Sequence, residues 1–212
     1  MYYIIEAIKQ TSIHSPLLPL IVSLFLAIRG KLAKEVGLIV GLVVLSFISD
    51  YLSILIGRIF HNNMPWFHFY VLLESILLIT FFSKVSTYKK IYMITMYGLI
   101  GFLFVDMLFL ESILKFNTIA RLVQCTVMVT SCLWLFYEVY VKEEVLFIDQ
   151  SGVFWIIVGV FIYFSGAFFS FLIYRNLQFD DIPVNKNSTW IYHNSANVLK
   201  NVFFAIGIWQ VR

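Results

Sequence analysis

The sequence predicts an all-α fold, a single bundle of seven membrane-spanning helices. Three observations predict it. Hydrophobic residues make up 61% of the 212, charged residues only 13%, and the apolar residues gather into seven stretches near the ~20 residues that a helical span requires. A water-soluble domain carries roughly 25% charge. This chain has too little to cover a surface that faces water, so lipid is its main solvent. Its 22 Phe suit a lipid-facing surface, and its 12 Tyr and 5 Trp suit the headgroup level.

The spans follow in order. The first, at about 13–29, is an apolar run entered through Pro16 and Pro19. Arg29, Lys31 and Lys34 come after this run, the wrong side for a signal peptide, whose positive charge precedes its core. The second, at 36–57, carries Gly37 and Gly41, a small-xxx-small packing pattern. The third, at 64–83, opens with Pro65 in its first turn after the loop residues His61, Asn62 and Asn63. The fourth, at 91–109, follows Lys89 and Lys90. The fifth, at 119–140, holds Cys125 and Cys132. Seven residues apart on one helix face, they are too far apart in rise for a disulfide and read as packing residues. The sixth, at 153–174, is almost wholly apolar, and the seventh runs 189–211. Short connections make sequential helices antiparallel neighbours and leave no room for a soluble domain.

Lys and Arg set the orientation. Arg29, Lys31, Lys34, Lys84, Lys89, Lys90, Lys142 and Arg212 fall on one side. Lys9, Arg58, Lys115, Arg121, Arg175 and Lys186 fall on the other. The excess places the N-terminus outside and the C-terminus in the cytoplasm, the inner side of a cytoplasmic membrane. A net charge of +3 without a basic run reports topology rather than a nucleic-acid partner.

Ionisable groups at membrane depth cost roughly 2.5–3.5 kcal/mol each on insertion scales, and they usually face the bundle interior. On the seventh span, Trp190, His193, Asn194, Asn197, Lys200 and Asn201 fall on one stripe at about 100° per residue. Glu74 lies mid-span on the third, one turn after Tyr70 and near His68. Asp50, among Ser46, Ser49 and Ser53, lies on the second, Asp106 on the fourth, and Arg121 with Gln124 on the fifth. Alternating helix direction puts Asp50, His68, Asp106, Arg121, His193 and Asn197 in the outer half of the bilayer. Glu74, Lys200 and Asn201 come near the middle. The expected picture is a polar cavity entered from outside and floored by Glu74 and Lys200, which can pair. Asp106 and Arg121, near span ends, can instead be interfacial.

The pattern argues against several chemistries. The cysteines stand apart from the histidines, so a structural zinc site is not expected. The seven-helix zinc hydrolases carry two histidines one turn apart on the last helix, whereas here Asn197 follows His193. Lys200 lacks the flanking motifs of retinal proteins. No Gly-rich phosphate loop occurs, and neither a metal nor another cofactor is expected.

Three stretches, "NNMPWFHFYVLLESILL" at 62–78, "FWIIVGVFIYFSGAFF" at 154–169 and "IYHNSANVLKNVFFAIGIW" at 191–209, resemble a group of seven-helix membrane proteins of Bacteroidota-type bacteria. The resemblance carries no activity. It implies a place beside sensor kinases, as receptor or adaptor.

The leading expectation is therefore a receptor or adaptor. Its outer site, built from Asp50, His68, Tyr70, Glu74, Arg121 and the seventh-span stripe, would take a small or lipid-like ligand. A membrane or cytoplasmic partner protein would carry the signal. One alternative is an intramembrane lipid-handling enzyme using His193 with Asp50 or Glu74. Another is a structural subunit of a membrane complex.

Overall fold

The computed structural model describes residues 2–141, 151–179 and 186–211, and every element among them is helical. Lys142 and Arg212, used in the charge count, lie outside the described residues. Helix α1 (Tyr2–His14) leads into α2 (Leu17–Ile28). Ser15 N still bonds Thr11 O at 2.8 Å, and Leu20 N bonds Pro16 O at 3.3 Å. The prolines remove two donors from the ladder without ending the segment. Together α1 and α2 give an apolar stretch, Tyr3–Ile28, of 26 residues. The expected first span, at about 13–29, covers the later part of this stretch. The added turns carry Glu6, Lys9 and Gln10, which pair with one another on an outward face.

A 3-10 turn (Lys34–Val36) precedes α3 (Gly37–Phe60). His61 closes α3 in the left-handed region, at φ 56°, which satisfies the chain reversal before α4 (Met64–Val85). Helix α5 (Lys89–Val105) runs into a π-helical segment (Asp106–Leu110). Then come α6 (Thr118–Val141), α7 (Gly152–Phe179) and α8 (Lys186–Gln210). Among the described residues, six helical stretches are long and apolar enough to cross a membrane: Tyr3–Ile28, Gly37–Phe60, Met64–Val85, Lys89–Leu110, Thr118–Val141 and Gly152–Arg175. Helix α8 has the length, 25 residues, but its polar stripe dilutes its apolar content. The outward surface is rich in exposed Ile, Leu and Phe, such as Ile28, Ile94 and Phe109, as a bilayer environment requires.

Contacts fix the bundle's two ends. The upper end joins the start of α4 to the 111–117 loop, where Asn62 Nδ2 donates to Leu114 O at 3.1 Å. At the lower end, Glu138 accepts Ser86 Oγ at 2.7 Å and Thr87 N at 3.0 Å. This clamps the α4–α5 turn to α6. Helices α5 and α6 touch little, and α6 packs mainly on α7. Strict packing between sequence neighbours thus fails at this one step. Helix α8 runs parallel to α1 and α2 and closes the ring: Asn197 meets Ser12, Asn201 meets Ser15, and Trp209 stacks on Phe25 at 5.9 Å.

The tightest seam is α7 against α8. At Gly207 an added Cβ would lie 2.6 Å from Ile156 Cγ1 and 2.7 Å from Gly152 O. Only glycine permits that approach, as expected where helices pack without a hydrophobic driving force in lipid. Gly98 on α5 meets nothing within 4 Å. Gly207→Ala should destabilise by about 1–3 kcal/mol through overpacking, whereas Gly98→Ala should gain up to about 1 kcal/mol of helix propensity. Thermal unfolding of the purified protein in detergent should show shifts of opposite sign.

Candidate functional site

The centre of the bundle is a charge network between α4 and α6. Arg121 Nη1 bonds Glu74 Oε2 at 2.8 Å, with both side chains buried. Gln124 Nε2 donates to the same oxygen at 3.0 Å and to Ser75 Oγ at 3.0 Å. Gln124 Oε1 accepts from Arg121 Nη1 at 3.0 Å. Tyr70, one turn before Glu74, donates its hydroxyl to Glu74 Oε1 at 3.1 Å. Residues 70, 74 and 75 share a face of α4, and 121 and 124 share a face of α6, so two helical spacings bring five polar groups together. Both carboxylate oxygens are engaged, which is what a buried charge requires.

This corrects the expected pairing of Glu74 with Lys200. Arg121 stands in that place, and it is buried rather than interfacial. Its long side chain crosses from the first turn of α6 to the middle of α4. The Lys200 ammonium lies 4.0 Å from the centroid of the Tyr163 ring, a cation–π contact worth about 2 kcal/mol when desolvated. Asp50, half-buried on α3, is within electrostatic reach of both Lys200 and Glu74.

The α8 stripe divides into two roles. Its lower part stitches helices. Asn197 Nδ2 donates to Ser12 Oγ at 2.9 Å, and Asn201 Nδ2 donates to Ser15 Oγ at 2.7 Å. Its upper part belongs to an aromatic cluster. Trp190 packs on Phe116 at 5.6 Å, and His193 packs on Trp190 and Phe171 at 5.6 Å each and on Tyr163 at 5.3 Å. Asn194 is half-buried on the same helix. His193 Nδ1 is buried with no hydrogen-bond partner among the described residues, and both oxygens of Glu74 are engaged by Arg121, Gln124 and Tyr70.

These parts stack in depth. A cleft of about 400 Å³ lies at the upper end, lined by Met64, Glu111, Leu114, Lys115, Phe116 and Tyr174 among others. Phe116 contacts Phe171 at 5.8 Å and Tyr174 at 4.9 Å. Phe171 in turn lies 5.7 Å from the Arg121 guanidinium carbon, and Tyr70 lies 5.4 Å from it. One wall of packed rings therefore connects the cleft to the Arg121–Glu74 pair. A second route, Trp190–His193–Tyr163, reaches Lys200. In place of the open cavity expected over Glu74, protein donors and rings pack against it.

His68 stands apart. Its Nε2 is 3.2 Å from the Lys115 carbonyl, at the upper end beside Asp106 rather than with the central network. Phe116, Phe171, Tyr174, Glu111 and Ser12 were not singled out from the sequence. The aromatics were hidden by their abundance. Ser12 and Ser15 do show a signal, because their three-residue spacing repeats the one-turn spacing of Asn197 and Asn201. The expected serines of α3 prove to be anchors: Trp66 Nε1 donates to Ser49 Oγ at 2.8 Å, and Asn63 Nδ2 donates to Ser53 Oγ at 2.9 Å.

Removing one partner of a buried ion pair strands the other, at about 3–5 kcal/mol. Arg121→Met alone should destabilise by that order, and Glu74→Gln combined with Arg121→Met should recover a substantial part. A double-mutant cycle of unfolding midpoints in detergent checks the coupling.

Compared with protein-family models, with curated proteins and with solved structures, the chain matches none.

Proposed function

We propose that the protein is a receptor or adaptor of the bacterial cytoplasmic membrane. In this reading α8 is the seventh span, the upper end faces outward and the C-terminus is cytoplasmic. A small or lipid-like ligand occupies the upper cleft, and a partner protein receives the signal. The observation that carries this reading is the wall of rings from the cleft to the Arg121–Glu74 pair. The cleft's volume, about 400 Å³, falls within the roughly 300–1,000 Å³ of small-molecule sites. Its lining mixes apolar groups with Glu111 and Lys115, as an amphipathic ligand needs.

A ligand shifts a conformational equilibrium only by binding one state better than the other. Here it would do so by moving Phe116 and Tyr174. Phe171 follows through its packing on Phe116, and with it the seat of Arg121. Since Arg121 joins α6 to α4, a change in its seat becomes a change in how those helices lie. The resemblance of 62–78, 154–169 and 191–209 to seven-helix proteins found beside sensor kinases supports the same reading.

Mild-detergent purification from native membranes, with mass spectrometry of everything that co-elutes, tests it. The expected result is a stoichiometric protein partner together with a lipid-like small molecule. Tyr174→Ala should lose the small molecule while the chain stays folded. A chain that elutes with neither partner nor ligand overturns the reading.

A further inference from the structure

The lower end of the bundle carries a field of unpaired positive charge. Arg29, Lys31 and Lys34 lie between α2 and α3, and Lys84, Lys89 and Lys90 flank the turn from α4 to α5. All six are exposed. Helices α2, α3, α4 and α5 are neighbours in that order, so the two groups adjoin. Among the described residues the ion pairs are Lys9 with Glu6 and Arg121 with Glu74, so none of the six has a carboxylate in contact. Two acids belong to the helices at this end, Glu35 and Glu138, and the carboxylate of Glu138 is taken by Ser86 and Thr87. Glu143, Glu144 and Asp149 lie outside the described residues.

Two further observations set this field at the level of lipid headgroups and give it an apolar neighbour. Aromatic side chains gather at the same end. The Arg29 guanidinium carbon lies 4.1 Å from the Phe25 ring centroid, and Phe25 stacks on Trp209. Tyr88 meets Trp134 at 5.9 Å, and Trp134 meets Tyr137 at 5.9 Å. Trp and Tyr are enriched where a membrane meets water. Shortly after Lys34, α3 opens with Gly37 and Gly41, where an added Cβ would meet nothing within 4 Å. Gly37, Gly41, Val44 and Ile48 share one helix face at about 100° per residue, and all four are exposed. This small-xxx-small pattern therefore seats no described helix of the chain. It leaves a shallow apolar path that runs from the lower end toward the middle of α3, with Lys31 and Lys34 at its head.

We propose that the lower end binds an anionic phospholipid, its phosphate held by Lys31 and Lys34 and one acyl chain laid along Gly37, Gly41, Val44 and Ile48. Arg29, Lys84, Lys89 and Lys90 raise the positive potential around the headgroup. Basic clusters beside a membrane span recognise anionic headgroups in this way, through an attraction that fades within a Debye length. The glycines let the acyl chain approach the helix backbone and gain dispersion contacts, which a soluble phosphate cannot make. An acidic protein segment would meet the charge but leave the path on the lipid face unused. The site depends neither on the ligand reading of the upper cleft nor on which side of the membrane the lower end faces.

Thermal unfolding of the purified full chain in neutral detergent tests the site. The probes are phosphatidylglycerol, phosphatidylcholine with the same acyl chains, and soluble glycerol phosphate. Phosphatidylglycerol is expected to raise the midpoint by several degrees, saturably, as binding to the folded state alone requires. Raising the salt from about 0.1 M to about 1 M should shrink that shift severalfold. Lys31→Gln with Lys34→Gln should raise the half-saturating concentration at least tenfold. Gly41→Leu fills the path where no neighbour stands and should weaken binding with both lysines intact. Arg58→Gln with Arg175→Gln removes the same charge from the upper end and should leave the response unchanged. An equal shift with phosphatidylcholine or with glycerol phosphate would overturn the proposal. So would a phosphatidylglycerol response that survives unchanged in the double lysine variant or in Gly41→Leu. No response to any probe would also overturn it, and would leave the cations to an acidic segment of a partner protein.

Discussion

The bundle is organised by one requirement, that a charge placed in lipid must be enclosed by its partners. Arg121 and Glu74 meet it for each other. Around them Gln124, Ser75 and Tyr70 supply the remaining donors and acceptors, so no oxygen of the carboxylate is left open. That enclosure needs α4 and α6 side by side and at one register. It joins α6 to α4 through long side chains rather than close backbone packing. One ring from α7, Phe171, and Tyr70 of α4 then flank the guanidinium, and the Arg121 side chain joins three helices.

A second constraint sits on the other side of the molecule. With α4 and α6 locked by charge, α8 is held by shape and by short hydrogen bonds. Glycines 152 and 207 let α7 and α8 approach to backbone distance, while Asn197 and Asn201 fasten α8 to the serines near the proline junction of the first span. The polar stripe of α8 is thus mainly a seam. Its one cation, Lys200, rests on Tyr163, and Asp50 and Glu74 temper its charge from across the interior.

The helical architecture was legible because it rests on apolar periodicity and length, which are local. Glu74, Arg121 and the α8 stripe were legible as residues because an ionisable group in an apolar run is conspicuous. Their partners were not. Lys200 and Arg121 are both cations at compatible depth, and only the register of α6 against α4 decides which one reaches Glu74. The helical stretch that carries the first apolar run begins well before 13, because Pro16 and Pro19 are accommodated within it. Asp106 shows the opposite case. Its position near a span end suggests the interface, yet it is fully buried inside the protein at the start of the π-helical segment.

The parallel pairing of the first and last helices has a consequence for how the molecule is made. The bond from Asn197 to Ser12 joins residues 185 apart in the chain, nearly its whole length. A membrane protein is threaded into the bilayer from its N-terminus as it is synthesised. Ser12 and Ser15 therefore enter the bilayer long before Asn197 and Asn201 exist. The opening span must wait beside a half-built ring with its hydroxyls turned onto its own carbonyls, as Ser15 Oγ to Ser12 O at 2.7 Å still shows. The bonds that fasten α8 to the first helices form only after every helix between them has been made.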